Sequence, residues 1–195
     1  MNLIGTKKIA TSRLELRVPT MVEQKHLWEI LMIPSVNKYY LSVPKKFKDN
    51  LVDWEIQKPF YENKITNALD KDKFEWSIFL KDSDVCIGQI NAQVNERCNV
   101  GEKNIGWYID PLYQGNGYCK EAAKAMFDYL FLEVDIDGLV TGAAICNPSS
   151  WKIMEYFGLN RLDQTHDAHY TFVDEVISVY EYVITKDDYL SKFID

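Results

Sequence analysis

A strand pattern, a glycine turn and a helix pattern follow one another around residues 107–122, and this order constrains the fold more than any other feature. The apolar run that ends at Ile109 is typical of a buried strand. Gly115 and Gly117 follow it, and apolar residues then recur at helical spacing over residues 117–134. A helix N-terminus leaves backbone N–H groups free and carries the positive end of the helix dipole. The segment therefore predicts either a phosphate site, opened by glycine, or a plain strand-to-helix turn.

Two common phosphate-binding loops do not fit this segment. A P-loop requires a Gly-Lys-Ser/Thr triplet, which does not occur after the strand. The dinucleotide fingerprint requires a third glycine at the position that Lys120 occupies. Any anion site at this turn must therefore be of another type.

The remainder of the chain alternates between strand and helix patterns, with no repeat and no linker-like segment. Thr20 and Glu23 form a capping-box pattern before the first helix, and Pro59 limits or kinks the second. We predict one α/β (α+β) domain over residues 1–195, with the order β-α-α-β-β-β-α-β-α-β-β. The strand patterns cover residues 14–18, 74–80, 85–94, 103–109, 138–145 and 176–184.

Composition and charge exclude several classes of protein. The chain has 29 acidic and 22 basic residues, and its net charge of −7 argues against nucleic-acid binding. The four cysteines form no CxxC pair, and no ligands complete a metal site around His166 and His169. Neither a leader pattern nor a long apolar stretch is present, so we expect a cytoplasmic protein without membrane contact.

Three motifs, in order, resemble the GNAT superfamily of acetyltransferases. Residues 114–119, Gln-Gly-Asn-Gly-Tyr-Cys, are similar to its Arg/Gln-x-x-Gly-x-Gly/Ala pyrophosphate loop, with Cys119 in place of the final small residue. Residues 147–150, Asn-Pro-Ser-Ser, and the Phe-Gly-Leu at 157–159 resemble its Asn-x-x-Ser helix and the turn that ends it. Residues 11–17, Thr-Ser-Arg-Leu-Glu-Leu-Arg, are similar to the start of the branch that contains ribosomal-protein N-terminal acetyltransferases.

The resemblance implies a splayed, mixed central sheet of six to seven strands flanked by about four helices. Two parallel strands, near 103–109 and 139–145, would diverge and take the pantetheine arm of acetyl-CoA between them, like an added strand. Asn147 would contact the cofactor or cap its helix. The cofactor-binding residues that the resemblance implies are Trp107, Tyr108, Ile109, Gln114, Gly115, Asn116, Gly117, Tyr118, Cys119, Asn147 and Ser150.

The catalytic positions depart from the family pattern. Asn104 stands where the family often has a glutamate base, and an amide accepts no proton near neutral pH. Met154 stands where many members have an acidic tyrosine. Ser150 remains as a candidate general acid, or it satisfies a backbone donor in the first helical turn. Glu102 is a weak candidate base, or a solvated loop charge.

The resemblance implies transfer of an acetyl group from acetyl-CoA to a primary amine by direct attack in a ternary complex. The acceptor is a protein N-terminus or a small-molecule amine. The alternative is a CoA-binding module of this fold with little or no turnover. Aromatic residues around the early helices form either an acceptor wall or ordinary core; they are Trp28, Tyr39, Tyr40, Trp54, Phe60 and Tyr61.

Overall fold

Eight strands and seven α-helices run along the part of the chain that the computed structural model describes, which is residues 1–39, 48–67 and 72–194. Tyr40 lies outside these residues. The strands are β1 Ile9–Ala10, β2 Leu14–Arg17, β3 Phe74–Leu80, β4 Cys86–Gln93, β5 Glu102–Ile109, β6 Gly138–Ala144, β7 Asn160–Tyr170 and β8 Glu175–Thr185. The helices are α1 Met21–Leu31, α2 Pro34–Asn37, α3 Lys48–Val52, α4 Trp54–Asn67, α5 Tyr118–Asp128, α6 Pro148–Tyr156 and α7 Lys186–Phe193.

The strands form one mixed sheet in the order β1-β2-β3-β4-β5-β6-β8-β7. Every neighbouring pair is antiparallel except β5 and β6, which are parallel. The predicted mixed α/β class is confirmed, with one strand more than the predicted six to seven. The two-residue strand β1 is too short to show any alternation in sequence.

The helix count exceeds the predicted four because the early segment forms four helices instead of two and because α7 follows the last strand. Pro34 begins α2, and the Asp53 carboxylate accepts hydrogen bonds from the N–H groups of Glu55 (2.9 Å) and Ile56 (3.4 Å). This cap separates α3 from α4, while Pro59 lies inside α4 instead of ending it. The predicted capping box of Thr20 and Glu23 at α1 is present.

The predicted single helix over residues 117–134 is wrong at its C-terminal end. After α5 the chain widens into a π-helical turn over Tyr129–Val134, and Asp135 ends it with a φ of +62°. The turn buries Tyr129, Leu130 and Phe131 in succession, and the Tyr129 hydroxyl donates to the Gly5 carbonyl at 2.6 Å. Tertiary packing therefore overrides the regular helix here.

The parallel strands β5 and β6 pair over a short length and then separate. Their register covers Glu102 opposite Gly138, and it ends with Asn104 opposite Val140. At the point of separation the Thr141 hydroxyl donates to the Ile105 carbonyl at 3.0 Å. The divergence predicted for these two strands is thus present.

Apolar side chains pack on both faces of the sheet. The main core lies on the face covered by α5, α6 and α7, where Phe127 contacts Phe157 and Tyr189. A smaller cluster lies on the opposite face, where Leu27 and Ile30 of α1 pack near Tyr108. No helix among the described residues is long and apolar enough to span a bilayer.

Candidate active site

The glycine turn between β5 and α5 adopts a backbone that other residues rarely take. Gly115 and Gly117 both have a φ of +79°. A Cβ atom at Gly115 would meet nothing within 4 Å, and one at Gly117 would meet only Arg13 Nη2, at 3.6 Å. The backbone angle, not crowding, is therefore what requires glycine here. Gly117 also leaves the first turn of α5 without a side-chain cap, so its N–H groups are open to a ligand.

Two amide side chains hold the turn in shape. Gln114 Nε2 donates to the Ile109 carbonyl at 2.9 Å. Asn116 Nδ2 donates to the carbonyls of Tyr113 (3.1 Å) and Gln114 (3.2 Å). The Asn116 side chain is thus engaged within the loop, and a contact to ligand phosphate would come from its backbone.

An ion pair ties the N-terminal segment to the same turn. Arg13 donates from Nε to Glu121 Oε2 at 2.7 Å and from Nη1 to the Asn116 carbonyl at 3.1 Å, and its guanidinium lies 4.6 Å from the Tyr118 ring centroid. The same carboxylate accepts hydrogen bonds from the hydroxyls of Thr11 (2.6 Å) and Ser12 (3.0 Å). The sequence marked residues 11–17 only as a family motif and did not predict this contact.

A cleft of about 1100 Å³ runs through the gap between β5 and β6. It reaches from the glycine turn on the α5 face to the opposite face of the sheet. It is lined by all of the predicted cofactor-binding residues except Asn116, namely Trp107, Tyr108, Ile109, Gln114, Gly115, Gly117, Tyr118, Cys119, Asn147 and Ser150.

Asn147 and Ser150 enter the cleft from the start of α6. Asn147 occupies the N-cap position, but its side chain makes no capping hydrogen bond. The amide is therefore available to a ligand. The Ser150 hydroxyl has no hydrogen-bond partner among the described residues, so it does not serve the backbone of the first turn.

The two candidate catalytic side chains lie apart. Glu102 is at the start of β5, where its carboxylate accepts from the backbone N–H (2.8 Å) and Nδ2 (3.0 Å) of Asn99, and it is not part of the cleft lining. Asn104 lines the cleft where the strands separate, and its Nδ2 donates to the Val140 carbonyl at 3.2 Å. The structure therefore does not bring Glu102 and Ser150 together, and a base role for Glu102 stays a prediction.

Three side chains that the sequence did not single out together meet at the other end of the cleft. Glu181 Oε1 lies 2.6 Å from His166 Nδ1 and 3.1 Å from Arg97 Nη1. Arg97 can lie flat on the sheet because Gly142 has no side chain, and a Cβ there would be 3.1 Å from Arg97 Nη1. These residues come from separate segments, so no local motif indicates them.

The cleft is positively charged in a negatively charged protein. No aspartate or glutamate is present among its described lining residues, whereas Lys38, Arg97, Lys120 and Lys152 are. This balance suits a ligand with phosphate groups. Desolvation raises the pKa of the Cys119 thiol beside the turn to about 12, so that thiol stays protonated and is not a nucleophile.

The early aromatic residues divide into two groups. Trp28, Trp54 and Tyr61 pack together between α1 and α4, with the Trp28 and Trp54 ring centroids 5.4 Å apart, whereas Phe60 is 59% exposed; none of the four lines the cleft. Tyr39 does line it, and its ring meets that of Tyr170 edge-on, with centroids 6.1 Å apart. Three of the six predicted residues, Trp28, Trp54 and Tyr61, therefore belong to the packing of the early helices, and Tyr39 forms part of the cleft wall.

Comparison with known proteins agrees with the motifs and the cleft. The model of the acetyltransferase (GNAT) domain family, Acetyltransf_3, matches residues 13–160. An uncharacterized N-acetyltransferase, YnaD, from Bacillus subtilis (strain 168) is 30% identical over 154 residues, which is 78% of this chain and 82% of that protein.

Solved structures show the same fold at low identity. A ribosomal-protein-S5-alanine acetyltransferase from Vibrio fischeri matches with a TM-score of 0.76 and 13% identity, over 94% of this chain and 98% of that one. A spermidine N-acetyltransferase from Vibrio cholerae, in complex with CoA and spermine, matches with a TM-score of 0.74 and 15% identity, over 92% and 99%. With the family model spanning most of the chain, this protein belongs to the GNAT acetyltransferase family.

Proposed function

We propose that this protein transfers an acetyl group from acetyl-CoA to the nitrogen of a primary amine. The observation that carries the proposal is the gap between β5 and β6, which opens beyond Asn104 and has the glycine turn at its mouth. An extended pantetheine arm can pair with the free edge of β5, and the pyrophosphate can bind the N–H groups at Gly117. The four cationic side chains of the cleft favour the same ligand.

The reaction uses few groups of the chain. The free amine attacks the thioester carbonyl carbon, and a backbone N–H near Ile109 stabilises the charge that develops on the oxygen. The C–S bond breaks, and the thiolate takes a proton from the Ser150 hydroxyl, which lines the cleft without a described partner. Holding both substrates in line supplies much of the rate acceleration.

The charge of the cleft also affects which amines can bind as acceptors. A polyamine needs carboxylates to neutralise its cations, and Glu181, the carboxylate at this end of the cleft, is already paired with Arg97 and His166. Lys38 and Arg97 both line the cleft, and Arg97 is neutralised by Glu181, so Lys38 is the cation that favours a negatively charged acceptor. We therefore favour an amine that carries a neutral or negatively charged neighbouring group, such as the N-terminus of an acidic peptide or a free amino acid.

A CoA-binding module with little or no turnover is the second candidate. It is favoured by Asn104 and Met154, because neither can supply or accept a proton at the positions where the family often does so. The two candidates predict the same cofactor binding and differ only in turnover.

Calorimetry and a turnover assay separate the candidates. We expect CoA and acetyl-CoA to bind with micromolar affinity, about −7 to −8 kcal/mol. Release of CoA thiol is then followed with acidic and basic peptides, amino acids, spermidine and an aminoglycoside. Turnover with any amine supports the enzyme, and binding without turnover supports the module. Neither heat nor a thermal shift with millimolar CoA would overturn both.

A further inference from the structure

We propose that His166 is the general base that removes a proton from the acceptor amine, and that Glu181 and Arg97 position it. The inference rests on the proposed acetyl transfer to an amine. It is drawn from the cluster on β7 and β8, outside the family motifs, none of which contributes a base to the cleft.

The sheet register places His166 on the face from which the acceptor enters. Tyr182 of β8 is buried in the main core and its hydroxyl donates to Glu155 of α6, so its neighbour Glu181 points to the opposite face. Glu181 is opposite Gly142 of β6, and His166 is opposite Val179. With the pyrophosphate on the α5 face, the amine must approach from the side where the imidazole lines the cleft.

The contacts of His166 leave one ring nitrogen able to accept a proton. Glu181 Oε1 is 2.6 Å from Nδ1, and an ionised carboxylate can only accept a hydrogen bond, so the proton of the neutral ring lies on Nδ1. Nε2 then carries the lone pair. Arg97 Nη1 lies 3.1 and 3.2 Å from the two Glu181 oxygens and holds the carboxylate in place.

The other ionisable groups on this side of the cleft are less suited to the task. Lysine and arginine, here Lys38 and Arg97, are cationic at neutral pH and cannot accept a proton. Burial raises the pKa of Tyr170, which keeps its phenol protonated. The other ionisable groups that border this part of the cleft are the phenol of Tyr39 and the thiol of the exposed Cys146. Histidine is the residue type whose charge changes between about pH 5 and 8.

The proposed step balances in protons and electrons. The acceptor enters as an ammonium ion and gives one proton to Nε2 of His166, which becomes an imidazolium stabilised by Glu181. The free amine forms the C–N bond, the C–S bond breaks, and the second amine proton leaves to solvent as the amide forms. The thiolate takes its proton from Ser150, which solvent reprotonates, and the imidazolium releases its proton to solvent.

A matched pair of histidine variants tests the proposal. His169 lies on the same strand, is exposed to the same degree (40% against 42%), and its Nε2 is 3.0 Å from a carboxylate oxygen, of Asp174. It is not part of the cleft lining. His166→Gln and His169→Gln are compared with wild type in CoA affinity and in kcat/KM for the most active amine of the panel, from about pH 5.5 to about pH 9.

We expect His166→Gln to lower kcat/KM at neutral pH by roughly 100-fold, with unchanged CoA affinity. The inflection in the histidine range should disappear, so that the rate rises steadily with pH. His169→Gln should match wild type. Glu181→Gln should lower kcat/KM with unchanged CoA affinity, and Glu181→Asp should restore part of the loss, because a carboxylate holds the ring proton on Nδ1 and leaves Nε2 able to accept. If Glu181 had a purely structural role, Glu181→Gln would lower CoA affinity as well as kcat/KM.

The outcomes distinguish the two proposals. A wild-type profile in His166→Gln, or an equal loss in both histidine variants, overturns the role of His166 while the acetyl transfer stands. Failure of wild type to bind CoA, or to acetylate any amine, overturns the proposed function and the base with it.

Discussion

Gly117 is the N-cap residue of α5, at the end of the turn that follows β5, and its φ is +79°. The pyrophosphate is proposed to bind at this position. Gly117→Asp is expected to weaken CoA binding by at least about 2 kcal/mol, because a carboxylate enters the phosphate space and draws Arg13 from Glu121. Gly115→Ala, with the same φ and open space around it, controls for backbone strain of about 1 kcal/mol. Calorimetry and urea unfolding measure the two effects. Wild-type affinity in Gly117→Asp would place the phosphates elsewhere.

The four cysteines differ in reactivity for a physical reason. Desolvation raises the pKa of Cys86 and of Cys119 to about 12, whereas Cys146 is exposed. Since the thiolate is the reactive form, an aromatic disulfide reagent at about pH 8 should modify the exposed Cys146 rapidly and the cleft residue Cys119 more slowly, and should reach the buried Cys86 only on unfolding. Cys146→Ser combined with Cys98→Ser should remove the fast phase, because Cys98 is also partly exposed. A fast phase that survives this change would contradict the assignment.

The contact between the N-terminal segment and α5 depends on the charge of Glu121. Desolvation alone would raise its pKa, but hydrogen bonds from Thr11, Arg13 and Ser12 together outweigh it, so the pKa is lowered. A carboxyl with a lowered folded-state pKa adds stability above the unfolded value, about 4.3, and loses it as pH falls through the folded-state value. Glu121→Gln should therefore lower the free energy of unfolding by about 1–2 kcal/mol at neutral pH.

Urea unfolding at neutral and acid pH measures this contribution. The difference between wild type and Glu121→Gln should shrink toward about pH 3. Glu133→Gln is the control, because Glu133 pairs with Lys7 at 3.0 Å but is 54% exposed, and such surface pairs contribute little. An equal difference at both pH values would contradict the role of charge.

Elements that depend on residues close together in the sequence could be predicted, and those that depend on residues far apart in the sequence could not. The capping box at Thr20 and the glycine turn at Gly117 are contiguous signals, and both are present. The cluster of His166 and Glu181 depends on the pairing of β7 with β8, where the register shifts between Arg161 and Thr165. The shift inserts two extra residues in β7, so the faces are kept but His166 pairs with Val179 instead of Ile177, and alternation in the sequence does not show such a slide.

The charge of the whole molecule and that of its cleft have opposite signs, and this contrast predicts acceptor preference. An acidic peptide with a free N-terminus should be acetylated at least about tenfold more efficiently than spermidine or a basic peptide at low ionic strength. Salt should reduce the difference. Lys38→Gln should reduce it too, whereas Lys25→Gln, on the exposed surface of α1, should not. Spermidine as the best acceptor would contradict the prediction.

The gap in the sheet also bears on how the protein behaves when it is heated or refolded. From Gly106 to Ile109, β5 faces the cleft with no strand partner on that side in the part of the chain that the structure describes, in the middle of an eight-stranded sheet. Unpaired strand edges are templates on which other chains assemble. A ligand that lies along this edge covers it. Self-association on warming should therefore be a property of the ligand-free molecule, and CoA should suppress turbidity as well as raise the melting temperature.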